Sequence, residues 1–272
     1  RKDNGKYIQE KIIITTEPGV DIPFYLLIPK KKQFPLPLGI AIHGHGPGKI
    51  KVVGEVAKGT YPDDPYGKQG VNEGYVIAAP DLRGFGELMR EDDRKDGKNN
   101  SCATRLFNAL LFGRTMLGEK VFDISRLIDF CVTRPEVDKE KIFCYGNSGG
   151  GTTTLFSAVY DKRIKVAAVS CYFCTFKASI IDIRHCACNY VPGMVKLGEM
   201  CDIAGLIAPR PLLIIAGKKD DIFPIKGVEF AYKKLQKVYK VAGAPKNLEK
   251  HIGPEGHRFY RERIWDFIKE KI

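Results

Sequence analysis

The sequence predicts an α/β fold, a mostly parallel eight-stranded sheet with helices on both faces. Three observations carry this. Short apolar runs alternate with segments of helical periodicity along most of the 272 residues, as a parallel sheet with helical crossovers requires. Two early runs are joined by Glu17-Pro18-Gly19-Val20-Asp21, so the sheet starts antiparallel. One late run, Ile142 to Gly146, ends in Gly146-Asn147-Ser148-Gly149-Gly150 and passes directly into a potential helix.

In chain order, strands are expected at residues 7–16 and 22–28, the hairpin, then at 36–43, where Leu36-Pro37-Leu38-Gly39-Ile40-Ala41-Ile42 leads into His43-Gly44-His45-Gly46-Pro47-Gly48. Gly46 to Asp64 reads as a long loop, 75–79 as a strand, and Asp92 to Asn100 as a charged surface loop. Helices are expected at 103–119 and 121–133. Strand 141–146 and helix 148–160 flank Ser148. Strand 165–171 follows, then 211–217, the apolar run Pro211 to Gly217, which ends in Lys218-Lys219-Asp220-Asp221. Helix 226–239, strand 247–252 with Gly253-Pro254-Glu255-Gly256-His257 after it, and helix 258–271 complete the series.

The passage through Ser148 is the strand, sharp turn and helix of a nucleophile elbow, the signature of the α/β-hydrolase fold. Gly146 and Gly150 stand where a Cβ would collide with a tight turn. A serine hydroxyl is scarcely ionised at neutral pH, so it needs an imidazole to take its proton and a carboxylate to orient that imidazole. The chain supplies both in the order acid then histidine. Asp220 or Asp221 follows one strand end and His257 the next, where open parallel sheets place their chemistry. The candidate oxyanion hole comprises the backbone N–H groups of His45 and Gly149, one from the glycine-rich loop after strand 36–43 and one from the residue after the serine.

Composition is consistent with this. At 44% hydrophobic the chain can bury one large core, and we expect a single domain over residues 1–272. No apolar run reaches the roughly eighteen residues of a membrane span. The net charge of +12 is spread, with Lys30-Lys31-Lys32 in a hairpin loop and Lys233, Lys234, Lys237 and Lys240 along one helix beside Leu235 and Val238. That dispersion reads as solvated faces, and no nucleic-acid or membrane partner is expected. The eight cysteines lack a paired C-x-x-C frame, and several fall in core elements. They read as reduced thiols in preference to zinc ligands or local disulfides, and His43-x-His45 has no acidic cluster to make it a metal site. No cofactor or metal is expected. Strand cysteines favour a reducing, cytoplasmic compartment. The start at Arg1 reads as trimmed, which leaves a removed signal peptide open.

Taken with their flanks, the motifs resemble the dienelactone-hydrolase-like branch of the α/β-hydrolases, specifically acetyl xylan esterase-like proteins. The resemblance runs through Glu17-Pro18-Gly19-Val20, Tyr25-Leu26-Leu27-Ile28-Pro29, His43-Gly44-His45-Gly46 and Asp81-Leu82-Arg83-Gly84-Phe85-Gly86-Glu87. It continues through the elbow, His185-Cys186-Ala187-Cys188-Asn189-Tyr190, Ile207-Ala208-Pro209-Arg210-Pro211 and Asp220-Asp221-Ile222-Phe223-Pro224 to Gly256-His257. It implies that the acid stands four residues before the proline, hence Asp220, and that 174–200 is an insertion roofing the active site. Dienelactone hydrolase itself uses a cysteine where this chain has Ser148, so ester cleavage is favoured over lactone cleavage. The sequence reading is therefore a serine carboxylesterase with the triad Ser148, Asp220 and His257. It acts on a small-molecule or carbohydrate ester, and the resemblance suggests acetylated plant-wall sugars. A serine peptidase or acyl-peptide hydrolase with the same triad is the alternative, and a binding protein on a hydrolase scaffold a more distant one. The oligomeric state is not legible.

Overall fold

Nine strands pair in one sheet among the residues described by the computed structural model, which are 1–30, 32–56, 61 and 63–272. They are β1 (Lys2–Asp3), β2 (Tyr7–Glu17), β3 (Val20–Pro29), β4 (Leu36–Ile42), β5 (Val76–Pro80), β6 (Val137–Asn147), β7 (Ile164–Ser170), β8 (Leu212–Gly217) and β9 (Leu248–Gly253). The order across the sheet is β1-β2-β3-β5-β4-β6-β7-β8-β9. Pairing is antiparallel from β1 to β3 and between β3 and β5, then parallel to the far edge. The expected eight strands are all present; the ninth is the two-residue β1, too short to show a period.

The parallel strands are buried on both faces, which is why they read as continuous apolar runs and not as alternation. All five residues of β5 and all six of β8 are buried. Strand alternation sends Ile40, Ile42, Cys144 and Ile214 into one core layer and Ala41, Phe143, Tyr145 and Leu213 into the other. The hairpin strand β2, solvated on one side, alternates as expected.

The helices are α1 (Lys49–Val53), α2 (Tyr66–Asn72), α3 (Glu91–Lys95), α4 (Cys102–Leu111), α5 (Met116–Cys131), α6 (Gly149–Tyr160), α7 (Met194–Leu197), α8 (Met200–Gly205), α9 (Ile225–Val241) and α10 (Ile264–Lys271). On α9 the lysines at 233, 234, 237 and 240 are exposed while Leu235 and Tyr239 are buried, a solvated face as read from the sequence.

Helix α1 forms inside the Gly46-to-Asp64 stretch that reads as loop, ended by Gly54 at φ +75°, and β6 begins at Val137, before the expected residue 141. Three further boundaries also differ from expectation. The break between α4 and α5 falls at 112–115, before residue 119, because Gly113 adopts φ +66° and Thr115 caps α5 by accepting from the Gly118 N–H at 3.0 Å. The charged stretch after Arg90 forms α3, whose Asp93 is buried and receives Lys98 at 2.7 Å. Helix α10 starts at Ile264, six residues later than expected, since Phe259 and Tyr260 are buried before the helix begins. Lys30 and Lys32 lie in the connection from β3 to β4, which are not sheet neighbours, so their loop is no hairpin. Lys31 and residues 57–60 and 62 of the long loop lie outside the described residues.

The Asp81-to-Glu87 motif is absorbed by folding. Asp81 accepts from the backbone N–H of Lys49 at 2.7 Å and from that of Glu87 at 3.0 Å, and it pairs with the buried Lys49 ammonium at 2.7 Å. Arg83 forms two 2.7 Å bonds to Asp123 of α5 and reaches Glu17 and Glu119. Thr16 also donates to Asp123 at 2.7 Å. The turn after β5 is thereby fixed to the hairpin and to α5.

Candidate active site

Ser148 sits between β6 and α6 with φ +57° and ψ −121°, a conformation costing about 1–3 kcal/mol for a residue with a Cβ. The surroundings hold it there. Its N–H donates to Ser170 O at 2.9 Å, and its carbonyl accepts from Thr152 N–H at 2.9 Å. A Cβ on Gly146 would lie 2.5 Å from Ile42 O, and one on Gly150 would lie 2.0 Å from the same carbonyl and 2.8 Å from His43 O. The elbow therefore closes backbone to backbone against the end of β4, which the G-x-S-x-G spacing anticipates.

Asp220 lies just past β8 and His257 just past β9. The two loops are tied by Lys218 N–H to Gly253 O at 2.8 Å and Lys219 N–H to Glu255 O at 2.9 Å. Asp220 Oδ2 is 2.9 Å from His257 Nδ1, and its Oδ1 accepts from the N–H groups of Ile222 and Phe223, both at 2.9 Å. Burial works to raise the Asp220 pKa, but the hydrogen bond and charge of His257, with the two backbone donors, hold it below the usual carboxylate value. Asp221 is exposed, so the contact with His257 belongs to Asp220. The ring of His257 stacks on Phe223 at 5.8 Å. The thiol of Cys171, also beside Asp220, is pushed up to about 12 by burial and donates to Arg258 O at 3.1 Å.

Ser148 and His257 open into one cavity of about 360 Å³, whose wall also includes Gly44, His45 and Gly149. Among the described residues no direct hydrogen bond joins Ser148 Oγ to His257; such contacts are often long in a free enzyme. The candidate oxyanion donors stand close together, with the His45 backbone nitrogen 3.8 Å from where a Gly149 Cβ would be. His43 is not free for chemistry. Its Nε2 accepts from Leu82 N–H at 3.0 Å, its Nδ1 lies 2.7 Å from Gly44 O, and burial pushes its pKa down to about 4.

Sequence reasoning did not find the other wall. Arg184, His185, Cys186 and Asn189 of the 174–200 segment, with Lys51 and Asp64, line the cavity. Asn189 accepts from Thr152 of α6 at 3.2 Å and His185 Nε2 lies 2.9 Å from Ser179 Oγ. The resemblance placed this segment near the site, but no pattern in the sequence says which of its side chains face inward. Nor does spacing reveal that His45, Cys102, Cys186 and Cys188 converge, since they come from three distant stretches. All eight cysteines are free thiols, seven of them buried. No helix among the described residues is long and apolar enough to cross a membrane.

The sheet order, the strained serine at the end of β6 and the acid and histidine loops after β8 and β9 define a hydrolase of the α/β-hydrolase fold. The Abhydrolase family profile matches residues 1–263, and the chain belongs to that family. YtaP of Bacillus subtilis (strain 168), provisionally named a hydrolase, is 31% identical over 250 residues, spanning 89% of this chain and 80% of YtaP. A Bacteroides fragilis protein, provisionally described as an acetyl xylan esterase, superposes with a TM-score of 0.79 at 21% identity, over 93% of this chain and 68% of its own. A glucuronoyl esterase from Solibacter usitatus gives 0.71 at 14% identity, over 98% and 82%. These structural likenesses establish the shared fold.

Proposed function

We propose that this hydrolase is a serine carboxylesterase with Ser148 as nucleophile, His257 as general base and Asp220 as the acid that orients it. The carrying observation is the 2.9 Å contact between Asp220 and His257 beside a cavity that Ser148 shares. Asp220 fixes the His257 tautomer with the proton on Nδ1, leaving Nε2 to accept the serine proton. Ser148 Oγ attacks the ester carbonyl, and the developing oxyanion accepts hydrogen bonds from the N–H groups of His45 and Gly149. The imidazolium then protonates the departing alcohol, leaving an acyl-serine. Water, deprotonated by His257, releases the acid and restores the enzyme.

The lining favours a polar alcohol over a long acyl chain. Lys51, Asp64, Arg184, His185 and Asn189 offer hydrogen bonds and charge around a cavity of modest volume, which suits a short acyl group on a carbohydrate. In this reading 174–200 roofs the site and sets substrate choice. Hydrolysis of p-nitrophenyl acetate and butyrate by the chain and by Ser148→Ala is the test. Turnover that falls by about 10⁶ in the variant supports the mechanism. Near-normal turnover in the variant, or cleavage of peptide anilides in preference to short esters, overturns it.

A further inference from the structure

Beyond the esterase reading, the structure assigns a tetrahedral zinc site to His45, Cys102, Cys186 and Cys188, and we propose that these four side chains hold one structural Zn²⁺. Their ligand atoms, one imidazole nitrogen and three sulfurs, all lie within 4.8 Å of one another. His45 Nε2 is 3.4 Å from Cys188 Sγ, although 143 residues separate them. With Zn–S near 2.3 Å and Zn–N of about 2.0–2.1 Å, ligands at tetrahedral angles stand about 3.5–3.8 Å apart, close to the 3.4 Å between His45 and Cys188. Cys₃His is a closed ligand set of the structural kind, with no position left for water. Thiolate-rich donors also select zinc over magnesium or calcium.

A second observation points the same way. Lys120 of α5 is buried, with its ammonium 5.0 Å over the Phe85 ring. Among the described residues no carboxylate pairs with it. The same Phe85 ring meets the His45 imidazole edge-on with centroids 5.3 Å apart, so the ammonium stands beside the cluster. A buried lysine beside three neutral thiols would be an uncompensated charge. On binding, Zn²⁺ displaces three thiol protons to solvent and the ZnS₃N group carries one negative charge, which Lys120 neutralises. The charge balance closes with the metal in place.

The site would join three segments that no strand pairing connects. His45 belongs to the loop after β4, Cys102 is the first residue of α4, and Cys186 and Cys188 belong to the segment lining the cavity. The ion would clamp the loop that carries a candidate oxyanion donor to the opposite wall.

Metal analysis of the full chain, purified without chelators or metal columns, tests this with no reference to turnover. About one zinc per chain is expected, falling below about a tenth in Cys102→Ser and Cys188→Ser and kept in Cys131→Ser and Cys201→Ser. Because a serine variant can fail to fold, the metal-stripped native sequence is also titrated anaerobically with Co²⁺. Intense visible bands of tetrahedral cobalt and thiolate charge transfer, saturating at one equivalent, are expected. A metal-free preparation that gives only the weak spectrum of hydrated cobalt overturns the proposal. So does a disulfide between any two of Cys102, Cys186 and Cys188 in the freshly isolated chain, seen as a loss of two hydrogens by mass spectrometry.

Discussion

Asp220 divides its carboxylate between two tasks: Oδ2 meets His257 Nδ1 at 2.9 Å, while Oδ1 is held by the Ile222 and Phe223 N–H groups. The position of the imidazole is thus referred through one side chain to the backbone of the loop after β8. Asp220→Asn keeps the shape but offers His257 the wrong hydrogen-bond partner on one rotamer and no charge on either. Ester turnover is expected to fall on the order of 10⁴, whereas Asp221→Asn, altering an exposed neighbour, should leave it within about twofold. Steady-state kinetics of the two variants side by side separates the assignments, and equal losses would refute the Asp220 role.

The same contact has a signature in acid. Folding depresses the Asp220 pKa below its ordinary 3.8, so the folded chain binds that proton more weakly than the unfolded one. The group therefore contributes stability at pH values above 3.8, and loses it as pH falls through the lower folded value. Urea unfolding of the native sequence and Asp220→Asn should show a stability gap that is constant near neutrality and narrows in acid. A gap that widens as pH falls would reverse the sign.

At the elbow, the 2.0 Å separation between a Gly150 Cβ and Ile42 O cannot be relieved by a side-chain rotation, because the main chain fixes the Cβ and its partner is a backbone carbonyl. Gly150→Ala is expected to destabilise the fold by about 3 kcal/mol or more and to misplace Ser148. Thermal unfolding of the variant measures this, and an unchanged midpoint would show that the backbone yields more easily than its packing suggests.

Asp123→Ala tests the buried network under the turn after β5. It removes the partner of two 2.7 Å bonds from Arg83 and strands the Thr16 hydroxyl. Loss of one member of a buried pair typically costs about 3–5 kcal/mol; Glu17 and Glu119 remain near the guanidinium, which places the expectation at the lower end. Chemical denaturation gives the value.

Much of this architecture was legible in the sequence because it follows from local rules. Apolar runs buried on both faces announce β4 to β8, and the glycines around Ser148 announce a turn that admits no Cβ. The choice of Asp220 over Asp221 rests on family resemblance; the structure sets Asp220, buried, against His257 and leaves Asp221 exposed. What stayed illegible depends on distant parts of the chain meeting. The break before Thr115 is a cap masked by continuous helical periodicity, and α10 begins late because Phe259 and Tyr260 are needed in the core. The inward-facing residues of 174–200 follow from tertiary packing alone. So does the grouping of His45 and Cys102 with the Cys186-x-Cys188 pair, since no sequence spacing links the three stretches.

The main-chain contact between the elbow and the end of β4 also separates two kinds of change open to this protein. The candidate nucleophile Ser148 is positioned by carbonyls and glycines of the main chain, while the cavity wall is drawn from Arg184, His185 and Asn189 on a different segment. For the proposed esterase this means that substrate range can be altered, by selection or by hand, through the wall, with the proposed reaction machinery left in place.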